Sequence, residues 1–162
     1  SVVLGEALDL KDMVALVRTT EGKGIGVIGD IQACELADLA SRLNQVLPAT
    51  ATGVRVAGDF RQKISRVALC AGAGDSYLQS ALDSGADVYI TSDLRHHPAQ
   101  EILEQAKARG LNFALIDISH WAAEFLWLAQ LEKEIASFGI DVVISDLRTD
   151  VFDFLMNAPR QA

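Results

Sequence analysis

Short apolar runs alternate with amphipathic segments along most of the chain. Apolar runs of about four to eight residues between Gly, Pro or Asp are typical of buried strands, whereas apolar positions that recur about every three or four residues indicate helices. The predicted strands are GKGIGVIGDI (22–31), TGVRVAGD (52–59), ISRVALCAG (64–72), ADVYITSD (86–93), NFALIDIS (112–119) and IDVVISD (140–146). The predicted helices are LDLKDMVALVRT (8–19), QACELADLASRLNQVLP (32–48), DSYLQSALDSG (75–85), HPAQEILEQAKARG (97–110) and HWAAEFLWLAQLEKEIASFG (120–139).

Strands and helices take turns in the second part of the chain, and this order indicates how the strands pair. A strand that follows a helical crossover lies parallel to the strand before it. Only GDFRQK separates the strand at Val54 from the strand Ile64–Cys70, so we predict that these two form an antiparallel hairpin. The predicted fold class is therefore α/β, a three-layer α/β/α domain with a mixed, largely parallel sheet.

Composition narrows the classes of function. Half of the 162 residues are hydrophobic, which fits one domain with a substantial core. The net charge of -8 gives bulk attraction neither to nucleic acid nor to an anionic membrane, so we expect neither partner. Because the sequence has no secretory signal pattern and no apolar run of about 18 residues, we expect a cytoplasmic protein. Cys34, in a helical pattern, and Cys70, at a strand end, lack metal-site spacing and are expected to be buried, reduced thiols.

Polar residues with useful chemistry collect where predicted strands give way to helices. All three histidines lie in such places, in TSDLRHHP and DISHWAAE. In open α/β sheets, sites form at the carboxyl ends of strands. These two segments are therefore the candidate functional residues.

His120 and Glu124 are four residues apart at a predicted helix start and share one face of that helix. An imidazole nitrogen and a carboxylate oxygen at this spacing suit Zn²⁺, Fe²⁺ or Mn²⁺. The alternative is a solvated pair or a helix cap. His96 and His97 precede Pro98. Either both bind metal, or one contacts a substrate while the other caps the helix, with Asp93 orienting either ring. Their alternative is that Asp93 caps the helix and both histidines are solvated.

Two glycine-rich segments allow more than one interpretation. CAGAGDS (70–76) lacks the lysine of a phosphate-binding P-loop, and either approaches an anion through its backbone or forms a tight strand-to-helix turn. GIGVIG (24–29) matches the pattern GxGxxG, but no clear strand precedes it. We therefore interpret GIGVIG as part of a strand.

Three motifs in order, GAGDS, DVYITSDLRHH and SHWAAE, resemble the GTP cyclohydrolase 1 type 2-like family, also called the Ngg-one-interacting-factor-three-like family. LPATATGVRVAGD, just before them, resembles actinobacterial members. The resemblance is best over about residues 24–147 and identifies 1–162 as a single domain, the C-terminal half of the family chain. Residues 1–23 would be a remnant of a preceding linker or inserted domain.

The resemblance implies a dinuclear centre with two divalent ions, Zn, Fe or Mn, and a toroidal homo-hexamer. In the family a histidine pair and an aspartate from the first half bind the metals with a histidine and a glutamate from the second half. Only the latter two match here, as His120 and Glu124. His96 and His97 lie in a block near the family's site, so they and Asp93 are assigned to catalysis or substrate contact. The family usually has Gly where this chain has Ser119.

The function expected from this resemblance is metal-dependent hydrolysis of a nucleotide or related small molecule. The two ions would activate water, and His97 or Asp93 would move protons. One alternative is a non-catalytic metal-handling protein with the same ligands. Another is an oligomerising interaction domain, in which Trp121, Phe125 and Trp127 are contact residues. A complete dinuclear site needs ligands that this chain does not contain.

Overall fold

A six-stranded sheet forms the centre of the computed structural model, which describes residues 1–19 and 23–156; Gly22 of the first predicted strand lies outside them. The strands are β1 Lys11–Arg18, β2 Gly24–Glu35, β3 Val54–Ala57, β4 Lys63–Ala73, β5 Val88–Ser92 and β6 Ala114–Ile118. Their order across the sheet is β1-β2-β4-β5-β6-β3. The pairs β4–β5 and β5–β6 are parallel, and the other three pairs are antiparallel.

Helices cover both faces of this sheet. They are α1 Val2–Ala7, α2 Leu36–Val46, α3 Leu78–Asp83, α4 His96–Ala108, α5 His120–Phe125 and α6 Leu128–Ala136. Leu39 of α2 and Ala123 of α5 belong to the core on one face, whereas Leu82 of α3 and Ile102 of α4 belong to the core on the other. All five residues of β5 and all five of β6 are buried, as expected for parallel strands covered on both sides. The predicted three-layer α/β/α fold with a mixed sheet is confirmed, but the sheet is only partly parallel, because two of its five strand pairs are parallel where most were expected to be.

The helix predicted over residues 8–19 is wrong, because most of this segment is strand β1. Leu8 and Leu10, which suggested a helical period, are buried in the turn before the strand. Asp12 has a φ of 52°, and the register with β2 shifts nearby, so an irregularity hides the alternation expected of a strand. Pairing with β2 and the β-branched Val14 and Val17 favour the extended backbone.

The predicted hairpin between the strands at Val54 and Ile64 is also wrong. β4 has β2 on one side and β5 on the other, while β3 pairs with β6 at the far edge of the sheet. The intervening residues fold onto the start of α2, where Leu36 N donates to Gln62 O at 2.8 Å and Ala37 N to Phe60 O at 3.2 Å. These bonds direct the two strands to different places.

The helix predicted from residue 32 begins only at Leu36, and Cys34 lies in β2 rather than in a helix. Reciprocal bonds between Glu35 and Asp38 form a capping box that sets the helix start.

Cys34 is half-buried and Cys70 of β4 is buried, and both are free thiols outside any disulfide. Burial raises the pKa of both thiols.

The helix predicted over residues 120–139 is interrupted at Leu126 and Trp127, so α5 and α6 are separate helices. The strand predicted at residues 140–146 is wrong, because this segment has no regular structure. It lies against α5 and α6, where Val142 and Ile144 line a groove with Trp121. Among the described residues no strand runs beside it to supply the hydrogen bonds that an extended chain needs.

Candidate metal centre

The carboxyl ends of β5 and β6 place Asp93 and His120 beside each other. Asp93 follows β5 directly, and His120 begins α5 two residues after β6 ends. Because these two strands are parallel neighbours, their carboxyl ends lie at the same edge of the sheet. His120 Nδ1 lies 2.7 Å from Asp93 Oδ2, within hydrogen-bond distance. The sheet therefore joins two residues that are 27 positions apart in the sequence.

Glu124 lies one helical turn after His120 on α5. Its Oε1 atom is 3.1 Å from His120 Nε2, so the imidazole ring spans two carboxylates. The hydrogen bond to Asp93 raises the pKa of His120, partial burial opposes that shift, and the charge of Glu124 adds to it. The ring is therefore held by both of its nitrogen atoms.

Ser119 fixes the start of α5. Its Oγ accepts a hydrogen bond from Ala122 N at 3.2 Å, as an N-cap residue does, and donates to Asp150 Oδ2 at 2.6 Å. Burial would raise the pKa of Asp150, but the hydrogen bonds from Ser119 and Phe152 N outweigh it and lower that pKa. The serine that replaces the expected glycine thus holds the C-terminal segment against the site.

Gly72, at the end of β4, leaves space beside both candidate ligands. Its φ is 87°, in the region that favours glycine. A Cβ atom there would lie 3.2 Å from Glu124 Oε1 and 3.5 Å from His120 Nε2. Thr91 Oγ1 donates to Gly72 O at 3.0 Å, and Tyr89 Oη donates to Gly74 O at 3.0 Å. The segment CAGAGDS therefore contributes a backbone that two buried hydroxyl groups hold close to the site.

Asp93 itself has an unusual backbone, with a φ of 58°. Short polar side chains tolerate this left-handed region better than most, at a cost of about 1 kcal/mol. The next residue, Leu94, donates its N–H to Asp117 Oδ1 at 3.0 Å. Asp117 of β6 also accepts from Arg55 of β3, through Nε at 2.8 Å and through a terminal nitrogen.

Sequence reasoning missed Arg55 and assigned no role to Asp117, although Asp117 lies in the candidate segment DISHWAAE. A signal for both was present, because each is the one charged residue in the interior of a predicted strand: Arg55 in TGVRVAGD and Asp117 in NFALIDIS. A charge inside a buried strand, as Asp117 is in β6, requires a partner. The pair is directly opposite in the β3–β6 ladder, which could not be foreseen while β3 was assigned to a hairpin with β4.

The site opens into a cleft of about 340 Å³. The sheet and α5 contribute Arg55, Asp93, Asp117, His120 and Glu124 to its lining, and residues 149–152 of the C-terminal segment lie across it. The cleft is thus bounded by three separate parts of the chain.

Within residues 1–19 and 23–156, none of the helices is long and apolar enough to cross a membrane.

His96 and His97 are not in this cleft. Both are exposed in the first turn of α4, with their ring centroids 5.3 Å apart in an edge-to-face arrangement. His96 lines an adjoining groove of about 420 Å³ between α4 and β3, which shares Arg55 and Asp117 with the cleft. The structure therefore brings Asp93, His120 and Glu124 together and leaves the histidine pair outside.

The donor atoms suit half of a metal centre. Two ligands that bind one ion at about 2.1 Å, at tetrahedral or octahedral angles, lie about 3.0–3.4 Å apart. The separation of 3.1 Å between His120 Nε2 and Glu124 Oε1 fits this geometry. A carboxylate on the other ring nitrogen, as Asp93 provides, is the usual support of a metal-binding histidine. In the described part of the chain, however, no group of three or more His, Cys, Asp or Glu is arranged to hold a metal ion.

Comparison with known protein families shows the family to which this chain belongs. The sequence model of Duf34/NIF3 (NGG1p interacting factor 3) matches residues 1–151. The chain belongs to the Duf34/NIF3 family. Its relatives include proteins named GTP cyclohydrolase 1 type 2 homolog. One from Mycobacterium tuberculosis is 44% identical over 135 residues, which is 82% of this chain and 34% of the relative. One from Streptomyces coelicolor is 38% identical over 164 residues, which is 92% of this chain and 54% of the relative.

Solved structures of similar proteins have the same fold. A Staphylococcus aureus hypothetical protein, SA1388, superposes with a TM-score of 0.74 at 25% identity. The match covers 95% of this chain and 63% of the SA1388 chain. A Bacillus cereus protein related to NIF3 superposes with a TM-score of 0.66 at 30% identity. The match covers 82% of this chain and 36% of the Bacillus cereus chain. This Duf34/NIF3 chain therefore spans between about a third and two thirds of the length of these relatives.

Proposed function

We propose that this Duf34/NIF3 chain supplies one half of a divalent metal centre, and that the complete centre hydrolyses a nucleotide or related small molecule. The observation that carries the proposal is the position of His120 Nε2 and Glu124 Oε1, 3.1 Å apart beside Gly72, with Asp93 on the opposite ring nitrogen. His120 and Glu124 would bind Zn²⁺, Fe²⁺ or Mn²⁺.

The residues of this chain have distinct parts in that centre. When bound, two divalent ions would act as Lewis acids and supply an activated water. Asp93 accepts the hydrogen bond from His120 Nδ1 and so directs Nε2 toward Glu124. Asp93 is also the carboxylate of this group that is not needed as a ligand, and it would move protons in the reaction. His96 and His97, on the first turn of α4, would contact a substrate that extends beyond the cleft.

The remaining ligands would come from outside this sequence. The chain spans 34% of the mycobacterial relative and 54% of the Streptomyces relative, so relatives contain further segments that could supply them. The name that these relatives carry supports a nucleotide as the substrate class. A toroidal hexamer is part of the same proposal.

Cobalt titration of the purified chain tests the half-site. In a His96→Ala/His97→Ala background only His120 can supply imidazole, because the chain has three histidines. We expect Co²⁺ to give a visible absorption band with one ion per chain. His120→Ala or Glu124→Gln should weaken binding at least about tenfold. The control is Glu104→Gln, which removes an exposed carboxylate from α4 and should leave the titration unchanged.

Binding that survives both His120→Ala and Glu124→Gln would contradict the proposed ligands. The hydrolase part is tested on a full-length family protein that contains this domain and is loaded with Zn²⁺, Mn²⁺ or Fe²⁺. Release of a ring-opened product from GTP would support cyclohydrolase chemistry. Metal binding without any nucleotide turnover would instead favour the non-catalytic, metal-handling alternative.

A further inference from the structure

Asp117 is the one charged side chain among the buried residues of the described chain, with 9% of its surface exposed. Both of its oxygen atoms are occupied. Oδ1 accepts from Leu94 N at 3.0 Å, and Oδ2 accepts from Arg55. Asp117 therefore joins β6, β3 and the segment that follows β5 in a single set of hydrogen bonds.

The bond to Leu94 acts on the neighbouring residue, Asp93. The N–H of Leu94 belongs to the planar peptide unit that follows Asp93. A hydrogen bond that fixes this N–H therefore restricts the ψ angle of Asp93. Asp93 has a left-handed φ of 58°, a conformation that persists only where surrounding contacts impose it. The Leu94–Asp117 bond is such a contact, and Asp93 in this conformation reaches His120 Nδ1 at 2.7 Å.

We propose that Asp117 is a positioning residue of the candidate metal centre. Through Leu94 N it holds Asp93 in the backbone conformation that bonds His120, and so it sets the direction of Nε2. This inference rests on the proposed role of His120 as a metal ligand. The hydrogen bonds of Asp117 go to Arg55 and Leu94, so its effect on His120 passes through Asp93.

Asp87 at the other end of β5 shows what a structural carboxylate does in this fold. Its Oδ2 accepts from Ser65 N at 2.7 Å and from Arg66 N at 2.9 Å, and so joins β4 to the start of β5. Like Asp117, Asp87 binds backbone N–H groups at a strand end. Unlike Asp117, it lies at the amino end of β5, away from His120. Replacement of either carboxylate should therefore cost stability, but only Asp117 should affect the His120 ring.

The test measures the imidazole ¹⁵N resonances of the metal-free chain at one fixed pH. The chain has three histidines, and the exposed His96 and His97 serve as internal references. We expect His120 to differ from them in the wild type, and to move toward their values in Asp117→Ala. Asp87→Ala should leave His120 unchanged. Arg55→Gln should also leave it largely unchanged, because the bond from Leu94 N remains.

A second variant covers the case in which Asp117→Ala does not fold. Asp117→Asn keeps the side-chain shape and offers Leu94 N a weaker acceptor, so the His120 resonances should move in the same direction by a smaller amount. Unchanged His120 resonances in a folded Asp117 variant would overturn the proposal. An equal change in Asp87→Ala would overturn it as well.

Zn²⁺ affinity, measured by competition with a chromophoric chelator, separates this inference from the proposed function. If the chain binds Zn²⁺ through His120, Asp117→Ala should weaken binding about tenfold and Asp87→Ala less than about twofold. If neither wild type nor variants bind Zn²⁺, the half-site is wrong, yet the metal-free resonances still decide whether Asp117 positions His120.

Discussion

Replacement of Gly72 by alanine is the most direct test of the space at the candidate centre. Two costs follow from the structure. The first is backbone strain, since an alanine at a φ of 87° lies in the left-handed region at a cost of about 1–2 kcal/mol. The second is local, because the new Cβ would lie 3.2 Å from Glu124 Oε1 and 3.5 Å from His120 Nε2.

The local cost should appear in metal affinity rather than in folding. Ordinary contact begins at about 3.4 Å, so the Glu124 carboxylate must move by a few tenths of an ångström. Metal–ligand distances in protein sites lie within about 0.2 Å of their usual values, so a shift of this size matters. We therefore expect Gly72→Ala to weaken Zn²⁺ or Co²⁺ binding tenfold or more, which corresponds to about 1.4 kcal/mol.

Gly85 offers a matched control. Its φ is 77°, and a Cβ there would have nothing within 4 Å. Gly85→Ala thus introduces a similar backbone strain in open space at the end of α3. In urea denaturation of the metal-free proteins both variants should lose about 1–2 kcal/mol of unfolding free energy, and only Gly72→Ala should lose metal affinity. Equal metal binding by the two variants would refute the reasoning.

Four further substitutions give separable outcomes. Asp93→Asn keeps a side chain that tolerates a positive φ, so stability should hold while Zn²⁺ affinity falls about tenfold to a hundredfold in a competition assay. Ser119→Ala removes the cap of α5 and should lower the unfolding free energy by about 1 kcal/mol in urea. Leu39→Ala, at a fully buried position of α2, should lower it by about 2–5 kcal/mol, and a loss below about 1 kcal/mol would contradict the assigned core. Burial raises the pKa of Tyr89, so Tyr89 stays protonated in the folded protein while the unfolded chain ionises near pH 10. The free energy of unfolding should therefore fall as the pH rises above about 10, and Tyr89→Phe should lack that part of the fall in denaturation at several pH values.

The sequence was most informative where a pattern depends on near neighbours. The apolar runs of β5 and β6 predicted buried strands, and the fold confirms them. The spacing of His120 and Glu124 placed them on one helical face, and α5 does so. In both cases the pattern within one short segment was enough for the prediction.

Features that depend on distant partners were not predicted. The strand β1 has too irregular an alternation to be distinguished from a helix, and its pairing with β2 decides its structure. Nothing near Arg55 indicates that it pairs with Asp117, because that contact requires β3 to lie beside β6. The segment 140–146 has the composition of a strand, but composition does not supply a neighbouring strand.

The position of β3 also has a consequence for the order of folding. Val54 pairs with Ile118, so closing this contact joins positions about sixty residues apart, and such distant contacts form late. Among the described residues β3 has a single neighbouring strand, β6, so it lies at the edge of the sheet. We therefore expect the amides of β3 to exchange with solvent sooner than those of β4 to β6. The Arg55–Asp117 pair would then be among the last native contacts to form and among the first to open.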